Sequence, residues 1–191
     1  MGKFNFIETD IKDLYVIEPK VFQDGRGYFM ESYNSKDFAD AGLNTVFVQS
    51  NESLSKKGVL RGLHYQYKYP QGKLVRVVMG EVFDVAVDLR ENSNTYGKSY
   101  GVILSSDNQK QFYIPEGFAH GFLVLSNYAK FIYKCTDYYN KQYEAGIVWN
   151  DHKIDINWPL DKVDNIILSD KDKIWPEFGD NEKLIGLEVR K

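Results

Sequence analysis

Glu81-Val82-Phe83-Asp84-Val85-Ala86-Val87-Asp88-Leu89 is the stretch that decides the fold. Phe83, Val85, Val87 and Leu89 fall on one side of an extended chain, and Val82, Asp84, Ala86 and Asp88 fall on the other. That alternation reads as a β-strand. Similar short segments recur on both sides of it, punctuated by Gly, Pro, Asn and Asp. They cover residues 14–22, 46–49, 59–66, 74–79, 101–104, 111–114, 122–125 and 131–136. A turn at Asp24-Gly25-Arg26-Gly27 leads into a further segment over 28–33. One short helix is expected over 36–41, with Ser35 as N-cap and Gly42 past its end. Many short strands with frequent turns imply an all-β sandwich or barrel with few helices. From about residue 150 the pattern loosens, with Trp158-Pro159 and Trp175-Pro176 as breakers and room for short helices. The 191 residues suit one domain, taken as 1–191.

The totals narrow the functional classes. Aromatic content of 15%, from 14 tyrosines, 12 phenylalanines and 3 tryptophans, favours strands over helices. A formal charge of −3 argues against nucleic acid as a partner, so any anion site must be local. The single cysteine, Cys135, excludes an intramolecular disulfide framework and suits a reducing compartment. Met1 to Glu8 lacks the apolar core of a signal peptide, and no apolar run is long enough to span a membrane. The expectation is a cytoplasmic protein with no membrane partner.

Three histidines exist, and two of them lie in glycine-flanked strand segments: Gly58-Val-Leu-Arg-Gly-Leu-His64-Tyr-Gln66 and Ile114-Pro-Glu-Gly-Phe-Ala-His120-Gly-Phe122. Each reads either as a core histidine satisfied by one hydrogen bond or as a general base working near neutral pH. A metal would need three or four good ligands. The position that would extend a metal pair from His64 is Gln66, and His152 reads as a surface turn. Lys73 heads an apolar strand, either as a solvated strand end or as an ammonium facing a developing oxyanion. Arg26 and Arg61 are presented next to glycines, in a manner suited to phosphate. Tyr133 either packs, acts as an acid or stacks on a base. Asp170 and Asp172 form a charged run from which one carboxylate could orient an imidazole. Strict alternation sends Arg61 and His64 to opposite faces, so a shared ligand requires either a bulge near Gly62 or a strand that begins there.

Eight segments in order resemble the dTDP-4-dehydrorhamnose 3,5-epimerase family from about Ile7 to Pro176. They are Asp24 to Glu31, Val48-Gln-Ser-Asn51, Gly58 to Gln66, Gly72-Lys-Leu-Val75, Glu81 to Arg90, Ile114 to Phe122, Tyr133 to Tyr139 and Leu168-Ser-Asp-Lys-Asp172. The resemblance implies a double-stranded β-helix, the cupin jelly roll, with no metal and no organic cofactor. It also implies a homodimer with exchanged N-terminal strands. His64 would then remove the proton beside the sugar ketone, oriented by Asp172. Lys73 would stabilise the enolate, and Tyr133 would return a proton on the opposite face. Arg26, Glu31, Gln49, Asn51, Arg61, His120, Glu144 and Lys171 would line the dTDP-sugar site, and Tyr139 would stack on thymine. A relative that inverts C3 alone, or accepts another nucleotide or sugar, is the near alternative. A non-catalytic sugar-nucleotide binder and a metal-dependent cupin are the distant ones.

Overall fold

Alternating β-branched and aromatic side chains carry the chain through thirteen strands and one short helix among the residues described, 2–185, in the computed structural model. Met1 and residues 186–191, part of the expected domain span, lie outside the described residues. The strands are β1 (Phe4–Glu8), β2 (Tyr15–Pro19), β3 (Phe22–Asp24), β4 (Gly27–Phe29), β5 (Gln49–Lys56), β6 (Leu60–Gln66), β7 (Lys73–Met79), β8 (Glu81–Asp88), β9 (Ser99–Ser105), β10 (Gln111–Ile114), β11 (Phe118–Val124), β12 (Tyr128–Cys135) and β13 (Glu144–Gly146). Helix α1 spans Ser35–Asp40. Antiparallel pairing builds a six-stranded sheet, β1-β2-β10-β7-β12-β5, and a five-stranded sheet, β13-β6-β11-β8-β9; β3 and β4 pair only with each other. This is the expected all-β jelly roll. No helix among the described residues is long and apolar enough to cross a membrane.

The two faces of β8 explain the architecture. Val82 and Ala86 point between the sheets and pack with Val75, Val77, Leu104, Phe112 and Phe131. Val85, Val87 and Leu89 point outward, yet they too are buried, beneath Ile147, Ile154 and Trp158 from the segment after β13. The irregular C-terminal stretch is therefore a lid over an apolar sheet face that water would otherwise meet. Each aliphatic side chain enclosed this way contributes about 1.5–3 kcal/mol. A third cluster sits outside the six-stranded sheet. There Phe38 of α1 meets the rings of Phe4, Phe6 and Tyr33 at 5.3, 5.1 and 4.9 Å.

Several boundaries differ from expectation for identifiable reasons. The helix is capped by Asn34, whose Oδ1 accepts the Lys36 and Asp37 N–H groups at 3.1 and 3.3 Å, so Ser35 is the first helical residue. The segment expected over 28–33 stops at Phe29, because β4 has no partner beyond β3. The strand expected over 46–49 begins at Gln49 and runs to Lys56. Its polar sequence, Gln-Ser-Asn-Glu-Ser-Leu-Ser-Lys, hides the period of an edge strand. Strands β1 and β13 are also additions to the expected set.

Candidate active site

The strand pairings bring one end of the space between the sheets into a polar cleft. On β12, Phe131, Tyr133 and Cys135 face inward, opposite Val77, Val75 and Lys73 of β7 and Ser53, Asn51 and Gln49 of β5. On the facing wall, β6 pairs with β11 through His64 opposite His120 and Arg61 opposite Phe122. Gly62 and Leu63 of β6 thus stand opposite the single residue Gly121 of β11, so of the two expected alternatives the bulge is present, and Arg61 and His64 share the inward face. His64, Gln66, Gln71, Lys73, Tyr133, Tyr139 and Glu144 line the cleft.

His64 is held from behind. Its Nε2 bonds to the carboxylate of Asp172, which is only 2% exposed. The other Asp172 oxygen accepts Ser169 Oγ–H at 2.6 Å, and Trp175 Nε1–H reaches Oδ1 at 3.3 Å. Burial opposes ionisation of Asp172, but the bonds from His64, Ser169 and Trp175 prevail and hold it below the usual carboxylate range. An ionised Asp172 must accept from Nε2–H, which leaves Nδ1 as the basic nitrogen of a neutral His64. The 3₁₀ turn Lys171–Lys173 delivers Asp172. Gly146 lets the Trp175 ring approach, since a Cβ there would lie 2.5 Å from the indole.

The opposite wall supplies cations and a phenol. Burial pushes Lys73 below its ordinary value, opposed by the Cys135 thiol, Asp84 and Glu144. Burial raises the Tyr133 phenol, with Arg61 and a bond to Asn51 pulling the other way, so it stays protonated near neutrality. Asn51 also donates to Cys135 Sγ at 3.7 Å and accepts Gln49 Nε2–H at 3.0 Å. Gln49 Oε1 accepts the Tyr139 N–H at 2.9 Å, tying the exposed Tyr139 ring to the rim. Lys171 Nζ donates to Glu144 Oε1 at 2.5 Å across the mouth. Arg61 donates to Ser55 Oγ through Nε and Nη2 at 3.3 and 3.2 Å. His120 Nε2 lies 3.0 Å from both oxygens of the buried Asp84.

Eleven of the thirteen residues singled out in the sequence are thus brought to or around this cleft. Arg26 and Glu31 are not. Arg26 protrudes at the β3–β4 turn, 91% exposed at its side chain and bonded to Asp24. Glu31 bonds to Lys3 and Asn34. Tyr28 of the same hairpin lies close to Arg76, whose side chain faces away from the cleft, on the outer side of β7. Sequence reasoning missed Asp84, Ser169, Trp175 and Gly146. The visible signal was an aspartate on the inward side of an apolar strand, and a serine within the Leu-Ser-Asp-Lys-Asp run.

The donor set bears on metal binding. Gln66 is committed to backbone: its Nε2 donates to the Tyr69 and Tyr138 carbonyls and its Oε1 accepts the Asn140 N–H. Asp172 and Asp84 are engaged by imidazoles. Among the described residues, the one cluster with metal-ligand spacing is Asp151, His152 and Glu177, at the C-terminal lid rather than in the cleft.

Residues 8–180 match the family model for dTDP-4-dehydrorhamnose 3,5-epimerase. A dTDP-4-dehydrorhamnose 3,5-epimerase of Methanothermobacter thermautotrophicus is 55% identical over 95% of this chain and 98% of its own. A crystal structure of the enzyme of that name from Elizabethkingia anophelis superposes with a TM-score of 0.88 at 52% identity, covering 94% of this chain and 98% of that one. A dTDP-6-deoxy-D-glucose-3,5-epimerase from Legionella pneumophila, solved with dTDP-4-keto-L-rhamnose, gives 0.86 at 50% identity over 92% of this chain and 98% of that one. With near-complete coverage at this identity, the chain belongs to the dTDP-4-dehydrorhamnose 3,5-epimerase family.

Proposed function

We infer that this protein inverts C3 and C5 of dTDP-4-dehydro-6-deoxy-D-glucose, giving dTDP-4-dehydro-L-rhamnose through enolate intermediates. The observation that carries this reading is the opposition of His64 and Tyr133 across one cleft, on facing sheets, with Lys73 on the strand beside Tyr133. A proton beside a ketone is acidic because the carbanion delocalises onto oxygen. Inversion needs a base on one face of the sugar, an acid on the other and a cation at the oxyanion.

In this reading His64 Nδ1 removes the proton, and the imidazolium is stabilised by Asp172. Lys73 donates to the enolate oxygen. Tyr133 delivers a proton to the opposite face and recovers one from solvent, while His64 releases its own. No bond to phosphate breaks, so Arg61, His120, Gln49, Asn51, Glu144 and Lys171 bind and orient the dTDP-sugar, and Tyr139 stacks on the thymine. None of these steps calls on a metal or organic cofactor.

A homodimer is part of the proposal, each subunit being one jelly-roll domain in the cytoplasm. Arg26 and Glu31 turn away from their own cleft, on a hairpin that exposes Phe22, Tyr28 and Phe29. The outer side of the six-stranded sheet leaves Arg76 Nε and Gln111 Oε1 buried without hydrogen-bond partners among the described residues. Exchange of N-terminal strands with a second copy would cover that face and deliver Arg26 and Glu31 to the neighbour's cleft.

Incubation with dTDP-4-dehydro-6-deoxy-D-glucose in heavy water tests the chemistry. Deuterium at both C3 and C5 is expected; uptake at C3 alone marks a single-centre epimerase, and uptake at neither overturns the reading. Mixing inactive Arg26→Ala and His64→Ala proteins tests the shared site. Mixed dimers regain one complete cleft if the subunits exchange residues, whereas a self-contained site gives no recovery.

A further inference from the structure

Two aspartates of β8, Asp84 and Asp88, point inward four residues apart, and they are treated differently by their surroundings. Asp88 is fully enclosed and saturated: Arg90 donates through its backbone N–H and two guanidinium nitrogens at 2.9–3.0 Å, Ser93 donates at 2.6 Å and Thr95 at 2.7 Å. Asp84 is equally enclosed, at 0% exposure, but its one hydrogen-bond donor among the described residues is His120 Nε2, 3.0 Å from each oxygen. A carboxylate offers about four acceptor sites. A buried one with a single neutral donor is costly, and structures retain such groups where the charge itself has a use.

The surroundings identify that use. Lys73, at the head of β7 on the facing sheet, is near enough to interact electrostatically with Asp84. His120 is directly opposite His64 in the β6–β11 pairing. Asp84 thus stands behind both the lysine assigned to the enolate oxygen and a histidine assigned to the sugar, without lining the cleft itself.

We propose that Asp84 is a positioning residue for the epimerisation, its buried carboxylate fixing a proton on His120 Nε2 and supplying the counter-charge that keeps Lys73 an ammonium. The role extends the epimerase reading and rests on it only for the kinetic consequence. The groups that face this unit are His120 on β11 and Lys73 on β7 around Asp84, His64 on β6 beside His120, and Cys135 on β12 and Glu144 on β13 beside Lys73. Burial pushes His120 and Lys73 down and Asp84 up, each offset by its partners' charges. Removing the Asp84 charge therefore leaves the Lys73 ammonium less stable and the His120 Nε2 proton without its anionic acceptor.

Asp84→Asn preserves the shape and can still accept Nε2–H, so it isolates the charge. The alkaline limb of the kcat–pH profile is expected to move to lower pH by about one unit, about tenfold in turnover above that limb. KM should change little, because Asp84 does not touch substrate. An independent readout comes from the ring nitrogens. With only three histidines, 15N-histidine NMR spectra are assignable by single substitutions of His64 and His152. In the unmodified protein, His120 should carry its proton on Nε2 throughout the neutral range, and in Asp84→Asn that resonance should titrate or shift. A His120 protonated on Nδ1 in the unmodified protein overturns the proposal even if the variant does not fold. An unchanged pH profile in a folded variant also overturns it, leaving Asp84 a packing residue. Failure of deuterium uptake by the unmodified enzyme would instead refute the epimerase reading and leave the His120 measurement standing.

Discussion

Arg61 and His64 share one face of β6 although they are three positions apart. His64 lies opposite His120 and Arg61 opposite Phe122, so β6 accommodates one residue more than β11 over the same length. The extra length falls at Gly62-Leu63, where Leu63 is turned outward and fully buried in the cluster under the C-terminal lid. Gly62 has φ +134°, and its Cα faces Gly121 so closely that a Cβ would lie 2.5 Å from Gly121 Cα and 3.0 Å from the His120 carbonyl. The bulge therefore depends on two glycines in facing strands.

Gly62→Ala is consequently expected to lose both stability and turnover. The methyl would meet backbone on both sides, at a φ that L-residues avoid, for a cost of about 2–3 kcal/mol. Chemical denaturation should read that loss, and residual activity should fall further than Kd for dTDP rises, because His64 is displaced with the strand. Gly25→Ala is the matched control. No atom lies within 4 Å of its Cβ position, and its stability should change by less than about 0.5 kcal/mol.

Tyr133→Phe separates the two halves of the reaction. The phenol is held protonated by burial, so its removal deletes the acid while leaving His64 and Asp172 in place. Proton abstraction should persist, seen as solvent deuterium entering recovered substrate, whereas inverted product should fall by about 10²- to 10³-fold. Proton NMR of the sugar mixture distinguishes the two. Equal loss of exchange and inversion would mean that Tyr133 does not act after abstraction.

The sandwich was legible because alternation in strands such as β8 survives in the residues themselves. What alternation does not reveal is that both faces of β8 are buried, since burial of the outer face is imposed by Ile147, Ile154 and Trp158 from far along the chain. Edge strand β5, beginning where the expected 46–49 segment ends, is hidden in the sequence because its inward side chains are polar for the cleft's sake: Gln49, Asn51, Ser53 and Ser55 mimic a loop. The cleft residues were legible as a set through the family resemblance. Their spatial grouping was not, because it depends on a register shift that glycine permits but does not specify. Trp175 and Gly146 could be paired only in three dimensions, as a ring lying over a missing side chain.

Asp172→Asn should show a pH-dependent penalty. Bonds from His64, Ser169 and Trp175 outweigh burial and depress the carboxyl in the folded state. A depressed carboxyl contributes stability above its unfolded value, near pH 4, and that contribution is lost as pH falls through the folded value. The asparagine variant should therefore be less stable by about 2 kcal/mol at neutral pH, with the gap to the parent closing below about pH 4. Thermal melts at matched ionic strength test the sign. A gap that widens in acid would mean that the Asp172–His64 bond does not favour the carboxylate.

Arg90 supplies the sharpest contrast between a buried charge kept for structure and one kept for chemistry. Its guanidinium forks onto Asp88, lies 4.6 Å from the Phe118 ring centroid, and reaches Asp13 Oδ2 at 2.9 Å and the Lys12 carbonyl at 3.0 Å. It therefore pins the β1–β2 turn to the end of β8. Arg90→Ala leaves Asp88 enclosed with only the residue-90 N–H and two hydroxyls as donors and no counter-charge, and should cost about 3–5 kcal/mol in denaturant unfolding. Arg90→Lys cannot reproduce the fork and should recover only part of that loss. Asp84→Asn should cost far less stability while altering the pH profile, because Asp84 has one partner to lose where Asp88 has many. Equal stability losses at the two sites would mean that both aspartates serve only the fold.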